Sequence, residues 1–277
     1  MELSTFALPV VLSAALFCSG CIDIVGADLG RYVEREEKHF SVSGKPDLVL
    51  RTFDGSIEIR PWDKTDVQVV VEKRGRNHDD VSVIDVHTEQ SGTHVEVTVT
   101  EPQLHGLRLH GRSAKLIVSV PAASDVSARS GDGSIDLEGV AGRLQLTSGD
   151  GSIRARGVEG DLDVHTGDGS VAVSGKLTTV RARSGDGSVT ITAEPGSSPT
   201  ADWDITTGDG SVTLVVPDGF GAELDAHTGD GSIHMRDIAL SNVTGRIGRN
   251  SVKGRLGAGG RTVRVRTGDG SINLKRS

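Results

Sequence analysis

The chain has 277 residues, of which 37 are glycine, 3% aromatic and 25% charged, with a formal net charge of −8. That charge content argues against disorder, and the acidic balance leaves no basic footprint for nucleic acid. With so few rings, the interior must be built from Val, Ile, Leu and Ala, which suits a thin core repeated many times.

The N-terminal end reads as an address. Both cysteines lie there, in Cys18-Ser-Gly-Cys21, directly after the apolar run from Phe6 to Phe17. An apolar stretch followed by small residues is the pattern of a secretory signal. Small residues before a cysteine resemble the lipobox of bacterial lipoproteins, which makes Cys21 the lipidated first residue of the mature chain. Cys18 departs from that pattern, standing where an aliphatic residue is usual, and Met1-Glu-Leu-Ser-Thr5 lacks Lys and Arg. An uncleaved anchor is the competing expectation, but Asp23 cuts the apolar run short of the roughly 20 residues a span needs. Residues 1–20 are therefore read as signal peptide and 21–39 as lipidated cysteine and polar tether. Glu34-Arg-Glu-Glu-Lys38 is read as a solvated charge run within the tether.

From Phe40 the pattern turns strand-like, through Leu48-Val-Leu50, Ile57-Glu-Ile59, Val67 to Val71, Val81 to Val86 and Val95 to Val99. Pro102 to Arg112 reads as a loop, and Leu116-Ile-Val-Ser-Val-Pro121 as a strong strand. Residues 40–121 are expected to form an irregular N-terminal β cap with the first coils, because an uncapped solenoid end would pair or aggregate.

Residues 122–277 are repeats. Asp-Gly-Ser followed by Ile or Val recurs at Asp54, Asp132, Asp150, Asp168, Asp186, Asp209, Asp230 and Asp269. From Asp132 on the intervals are 18, 18, 18, 23, 21 and 39 residues. The last interval is two periods long, and Gly248-Arg-Asn-Ser-Val252 in its middle reads as a decayed copy. It places Arg249 in the Asp column and Asn250 in the Gly column, Asn being the next residue after Gly to tolerate a left-handed backbone. Each period carries two short alternating strands, such as Leu144 with Leu146 and Ile153 with Ala155, linked by a second turn at Gly157-Val-Glu-Gly160.

Two topologies fit. Asp-Gly between alternating strands is a strong hairpin signal and would give antiparallel pairs. Uniform turns at a near-constant interval fit parallel stacking better, since each side chain then sits on its own copy about 4.8 Å away. The expectation is an all-β, right-handed parallel β-helix of roughly nine to eleven coils, each of about 18–23 residues.

Asp54-Gly-Ser-Ile-Glu-Ile-Arg-Pro-Trp-Asp-Lys-Thr-Asp-Val-Gln-Val69, the strand ending Val120-Pro121, the Gly-Asp-Gly-Ser turns and Val265-Arg-Thr-Gly-Asp-Gly-Ser-Ile-Asn-Leu274 carry a resemblance. From about Phe40 to the C-terminus the chain resembles the bacterial putative-adhesin family of β-strand-repeat domains, related to the head-GIN adhesin-like domains. The resemblance implies a β-helix and an envelope address, and brings no catalytic residues.

Stacked aspartates must be offset, since carboxylates about 5 Å apart repel by about 1 kcal/mol even in a water-like dielectric. Asx-turn bonds to the following amides, the nearby Arg129, His165, Arg183, His227 and Arg266, or a bridging Ca²⁺ are three ways to do so. Structural turn-forming is the favoured reading of Asp132, Asp150, Asp168, Asp186, Asp209, Asp230 and Asp269. The pattern differs from the calcium nonapeptide, which places Asp after its glycines twice per coil. No cofactor is implied and no metal set stands out: His165 and His227 are about three coils apart, and His105 and His110 have no third ligand. Catalysis needs groups in unlike environments, whereas these aspartates are equivalent. The chain is thus expected to be a non-enzymatic, exported, lipid-anchored envelope protein, an adhesin or binding scaffold whose partners are the membrane and envelope glycans or proteins. The outer membrane or the periplasmic face is expected over the cytoplasm. A polysaccharide-active enzyme on a β-helix and a calcium-stabilised repeat protein are the alternatives.

Overall fold

The computed structural model describes residues 22–28, 31–101, 111–243 and 250–277. They are strands and turns except for one short helix, His78–Ser82, which the hydropathy pattern did not suggest. Its start is held by the Asn77 side chain, which accepts from the Asp80 amide.

The segments on either side of a Gly-Asp-Gly-Ser turn do not fold back on each other as an antiparallel pair. Leu144 lies opposite Leu162 and Leu162 opposite Val180, each one repeat further along, and the strands run parallel. The hairpin alternative therefore fails: the glycines serve turns that stack rather than turns that fold back. Strands before the turns form one ladder and strands after them form another. The ladders are continuous where Ile153–Thr166 and Val171–Ser184 bend from one into the other. Gly160 makes that second bend at φ +115°, with the Gly142 carbonyl where a Cβ would lie.

Between the ladders lies the thin aliphatic core. Ile57, Ile135, Ile153, Val171, Val189, Val212 and Ile272 stack in register, all buried. Each contributes roughly 1.5–3 kcal/mol by burial, and no single coil could bury its own column. Trp203, also buried, fills the widened coil beside Phe220 and donates through Nε1 to the Thr178 carbonyl at 3.1 Å.

At both ends the coils leave chain order. Asp47–Thr52 of the Asp54 coil pairs with Asp125–Ser130 on one side and His94–Thr100 on the other, and Ile57–Trp62 pairs with Ser113–Pro121, so these two later strands lie outside the Asp54 coil. At the C-terminal end Thr262–Thr267 pairs with both Trp203–Thr207 and Ala222–Thr228. The last coil of the chain, Asp269, is thereby slotted between the Asp209 and Asp230 coils. The outward charges supply a reason. Asp163, Arg181, Asp204, Arg264 and Asp225 follow one another along one column with alternating sign. Direct stacking of the Asp230 coil on the Asp209 coil would set Asp225 against Asp204, which like charges opposite each other disfavour. Among the described residues nine coils are formed, running in space as the one holding His94–Thr100 and Ser113–Pro121, then Asp54, Asp132, Asp150, Asp168, Asp186, Asp209, Asp269 and Asp230.

The ends are closed by antiparallel strands. Arg31–Phe40 pairs with Val67–Gly75, which pairs with Ser113–Pro121, while Asp85–Ser91 covers His94–Thr100. The polar run expected to be a tether is thus largely strand, Ile22–Asp28 and Arg31–Phe40. Part of its pairing is charge against charge, which a hydropathy pattern does not register: Arg35 bonds Glu72, and Lys73 lies 3.7 and 3.3 Å from Glu34 and Glu36. The decayed copy is also not a coil. Arg249 lies outside the described residues, and Ser251–Leu256 runs antiparallel to Ala222–Thr228, with Val252 opposite Ala226. A period-two pattern satisfies a strand in either direction, so spacing alone misread it.

Arg266 donates through both terminal nitrogens to Asp225, at 3.1 and 3.0 Å, and this contact ties the slotted coil to its outer neighbour. Arg266→Ala should lower stability by about 1 kcal/mol, read as an earlier denaturant midpoint with unchanged slope.

Candidate binding surface

The repeat turn is built by its hydroxyl and its glycines. Ser148 donates to the Gly133 carbonyl of the coil before at 2.9 Å and accepts from its own Gly151 amide at 3.1 Å. Ser130, Ser184 and Thr228 make the same two bonds, and Thr166, Thr207 and Thr267 make the bond between coils. From Gly149 onward the first glycine of each turn also donates its amide to the first-glycine carbonyl of the neighbouring coil, as Gly167 does to Gly149 at 2.5 Å, whereas Gly131 donates to the Thr52 carbonyl. A Cβ on Gly149 would lie 2.4 Å from the Gly131 carbonyl, and one on Gly151 would lie 2.3 Å from that of Gly133. Close approach requires these glycines, whose φ lies outside the left-handed region.

Asp132, Asp150, Asp168, Asp186, Asp209, Asp230 and Asp269 stand in a row along this corner, all exposed. The Asx-turn bonds expected of them are absent: the hydroxyl one residue before the first glycine takes the amide instead. Their carboxylates make no hydrogen bond or ion pair among the described residues. Nor do the neighbouring cations serve them. Arg183 is held by Asp204 at 2.9 Å and Arg266 by Asp225. Among the described residues no three His, Cys, Asp or Glu side chains are grouped to hold a metal. His165 and His227 share their column but stand four coils apart, because the Asp269 coil is slotted between them. Cys21, His105 and His110 lie outside the described residues.

The face of the ladder before the turns is the more promising surface. Arg143, Gln145, Asp161, Asp163, Thr179 and Arg181 line a groove of about 160 Å³. The guanidinium groups of Arg143 and Arg181 and the carboxylate of Asp163 make no direct hydrogen bond or ion pair among the described residues, although the charge of Arg143 is felt by Asp125 and that of Asp163 by Arg183. Donors and acceptors are therefore available side by side, about 4.8 Å apart from coil to coil. A second groove of about 180 Å³ on the other ladder, lined by Glu58, Arg60, Asp136, Glu138 and Arg156, is partly neutralised by the Arg156–Asp136 pair at 3.5 Å. The sequence columns showed the periodicity of these side chains but not which of them stay unpaired.

A different charge cluster lies in the cap. Asp80 receives Arg76 at 2.9 Å and Arg112 at 3.0 Å, and Arg112 also reaches Glu101 at 3.1 Å. The Arg76 hydrogen bond, opposed by burial and supported by Arg112, holds the Asp80 carboxyl down at about 2. Asp225 is lowered in the same way, chiefly by its bonds from Arg266. The Asp80 pairs hold the short helix to the chain on either side of it, and the Asp225 pair joins two strands.

A family model described as Toastrack DUF4097 matches residues 46–275. Curated proteins offer no match. Among solved structures, a putative cell adhesion protein from Clostridium sporogenes ATCC 15579 is similar at 16% identity and TM-score 0.40, covering 88% of this chain and 100% of that one. A putative adhesin from Bacteroides fragilis NCTC 9343 is similar at 12% identity and TM-score 0.38, covering 88% and 97%. A putative lipid binding protein from Parabacteroides distasonis ATCC 8503 is similar at 11% identity and TM-score 0.26, covering 87% and 96%.

Two measurements check the turn and the cap. Ser148→Ala leaves a carbonyl and an amide without their partner and should cost about 1–3 kcal/mol in chemical denaturation. Asp150→Asn in the same turn should change stability by no more than about 0.5 kcal/mol. For Asp80 the folded value lies below the unfolded one of about 3.9, so its contribution is complete above about pH 4 and lost as pH falls through about 2. Between pH 5 and pH 2.5 the wild type should lose more stability than Asp80→Asn, compared by denaturant midpoints.

Proposed function

This chain belongs to the Toastrack DUF4097 family, and from that premise we propose that it is a non-enzymatic binding scaffold of the cell envelope, an adhesin-like protein exported and lipid-anchored through Cys21. The observation that carries the reading is the groove at Arg143, Asp163 and Arg181, where donors and acceptors without a direct hydrogen bond or ion pair repeat from coil to coil. Such an array suits a repetitive polar partner, an envelope glycan or the polar face of an envelope protein. Equivalence of the turn aspartates supports a scaffold over an enzyme, because general acid and base roles require unlike environments. Calcium has little to recommend it: the turns are already held by hydroxyl and backbone bonds. The anchor rests on the Cys18-Ser-Gly-Cys21 pattern and the apolar run before it. No helix among the described residues is long and apolar enough to cross a membrane.

The test is retention on fractionated envelope material. The purified chain should be held by an envelope polysaccharide or peptidoglycan fraction, and Arg143→Ala with Arg181→Ala should weaken that at least tenfold while lowering the melting temperature by no more than about 4 °C, as loss of exposed charges does. Absence of retention on every fraction sinks the binding reading. Separately, Cys21→Ser should shift the protein from the membrane pellet to the soluble fraction; unchanged partition would remove the anchor.

A further inference from the structure

The coil that comes last in the chain, residues 262–277, lies one place in from the end of the stack. Thr262–Thr267 is bonded on one side to Trp203–Thr207 and on the other to Ala222–Thr228. Ile272–Arg276 likewise lies between Val212–Val216 and Ile233–Arg236. Withdrawing this coil would leave a slot walled entirely by unpaired strand edges, and such edges are templates for pairing with another chain.

The slot has a reason not to close on itself. Moving the Asp230 coil against the Asp209 coil in the same register would bring Asp225 opposite Asp204, where Arg264 now stands between them. It would also take Arg266 from Asp225. The segment that fits the slot has apolar residues at alternate positions, a Gly-Asp-Gly-Ser turn, and an arginine level with Asp204 and Asp225. Residues 262–277 of another copy meet that description. They are joined to the strand ending at Leu256 through Gly257, Gly259 and Gly260, all at positive φ, a joint that glycine lets follow other paths at little steric cost.

We infer that the C-terminal coil is exchanged between copies, residues 262–277 of one molecule filling the slot of another, so that the protein associates with itself through its own repeat. Reciprocal exchange closes a dimer, and one-way exchange extends a chain of molecules. The inference stands on strand order and charge, independently of any envelope ligand.

The experiment uses full-length chains with Cys18→Ser and Cys21→Ser, so that an introduced thiol has no rival. One carries Thr213→Cys and the other Asn273→Cys, positions opposite each other across the slotted strand. Neither chain holds both thiols, so a disulfide between them requires exchange. After mixing, warming to a few degrees below the melting midpoint and oxidation, cross-linked heterodimer should exceed at least tenfold that from Ala172→Cys with Asn273→Cys. Ala172 lies three coils from Asn273 along the ladder. Cross-linking no greater than this control overturns the inference. As a second readout, a labelled peptide of residues 262–277 should bind a chain ending at Arg261 saturably. The same peptide with Arg264→Asp and Arg266→Asp should bind at least tenfold more weakly; equal binding by the two peptides would remove the charge argument. Should the shortened chain fail to fold, the cross-linking comparison decides alone.

Discussion

Everything in this molecule depends on how closely one turn approaches the next. The carbonyl of each turn glycine sits where a side chain on the following coil would have to begin. That approach lets a serine or threonine hydroxyl span two coils while also closing its own turn. Each such bond is worth only about 1 kcal/mol net. Repeated coil after coil, with the backbone bonds between first glycines, they hold one edge of the stack in strict register. Register at the corner then passes into the walls, where each aliphatic residue lands on its counterpart and a thin core becomes continuous.

Charge decides what the corner leaves open. The turns are nearly identical, so the corner alone would accept any coil on any other. Along the outward column of Asp163, Arg181, Asp204, Arg264 and Asp225, alternation of sign discriminates among them and favours the C-terminal coil in the interior slot. The same logic explains why many charged side chains here are fastened to each other across strands, such as Arg183 with Asp204 and Arg266 with Asp225. Those without a direct hydrogen bond or ion pair, Arg143, Asp163 and Arg181, gather at one groove, and that contrast is what marks the groove as a surface for a partner.

The turn aspartates show how a conspicuous motif can mislead about function. Seven of them in an exposed row suggest a ligand site, yet the structural bonds of the turn belong to the residue before the first glycine. Their place on the outer corner keeps them in water, where repulsion between neighbours is weak.

Composition, the turn motif and its interval were enough to determine an all-β repeat with a thin aliphatic core, because those features are local and recur in every coil; they favoured parallel stacking over hairpins, and the choice between the two fell to the pairing itself. The family resemblance was legible for the same reason. Left to the tertiary structure were the order of coils at both ends, the antiparallel direction of Ser251–Leu256 and the strand formed by the polar run at Arg31–Phe40. Period-two alternation reads the same in either strand direction, and it does not say which of several like coils lies alongside. The choice was made by pairings between residues far apart in the chain, such as Arg266 with Asp225 and Arg35 with Glu72. The candidate groove divides in the same way. Its side chains were visible as columns in the sequence, but which of them remained unpaired was settled only when the coils were laid against one another.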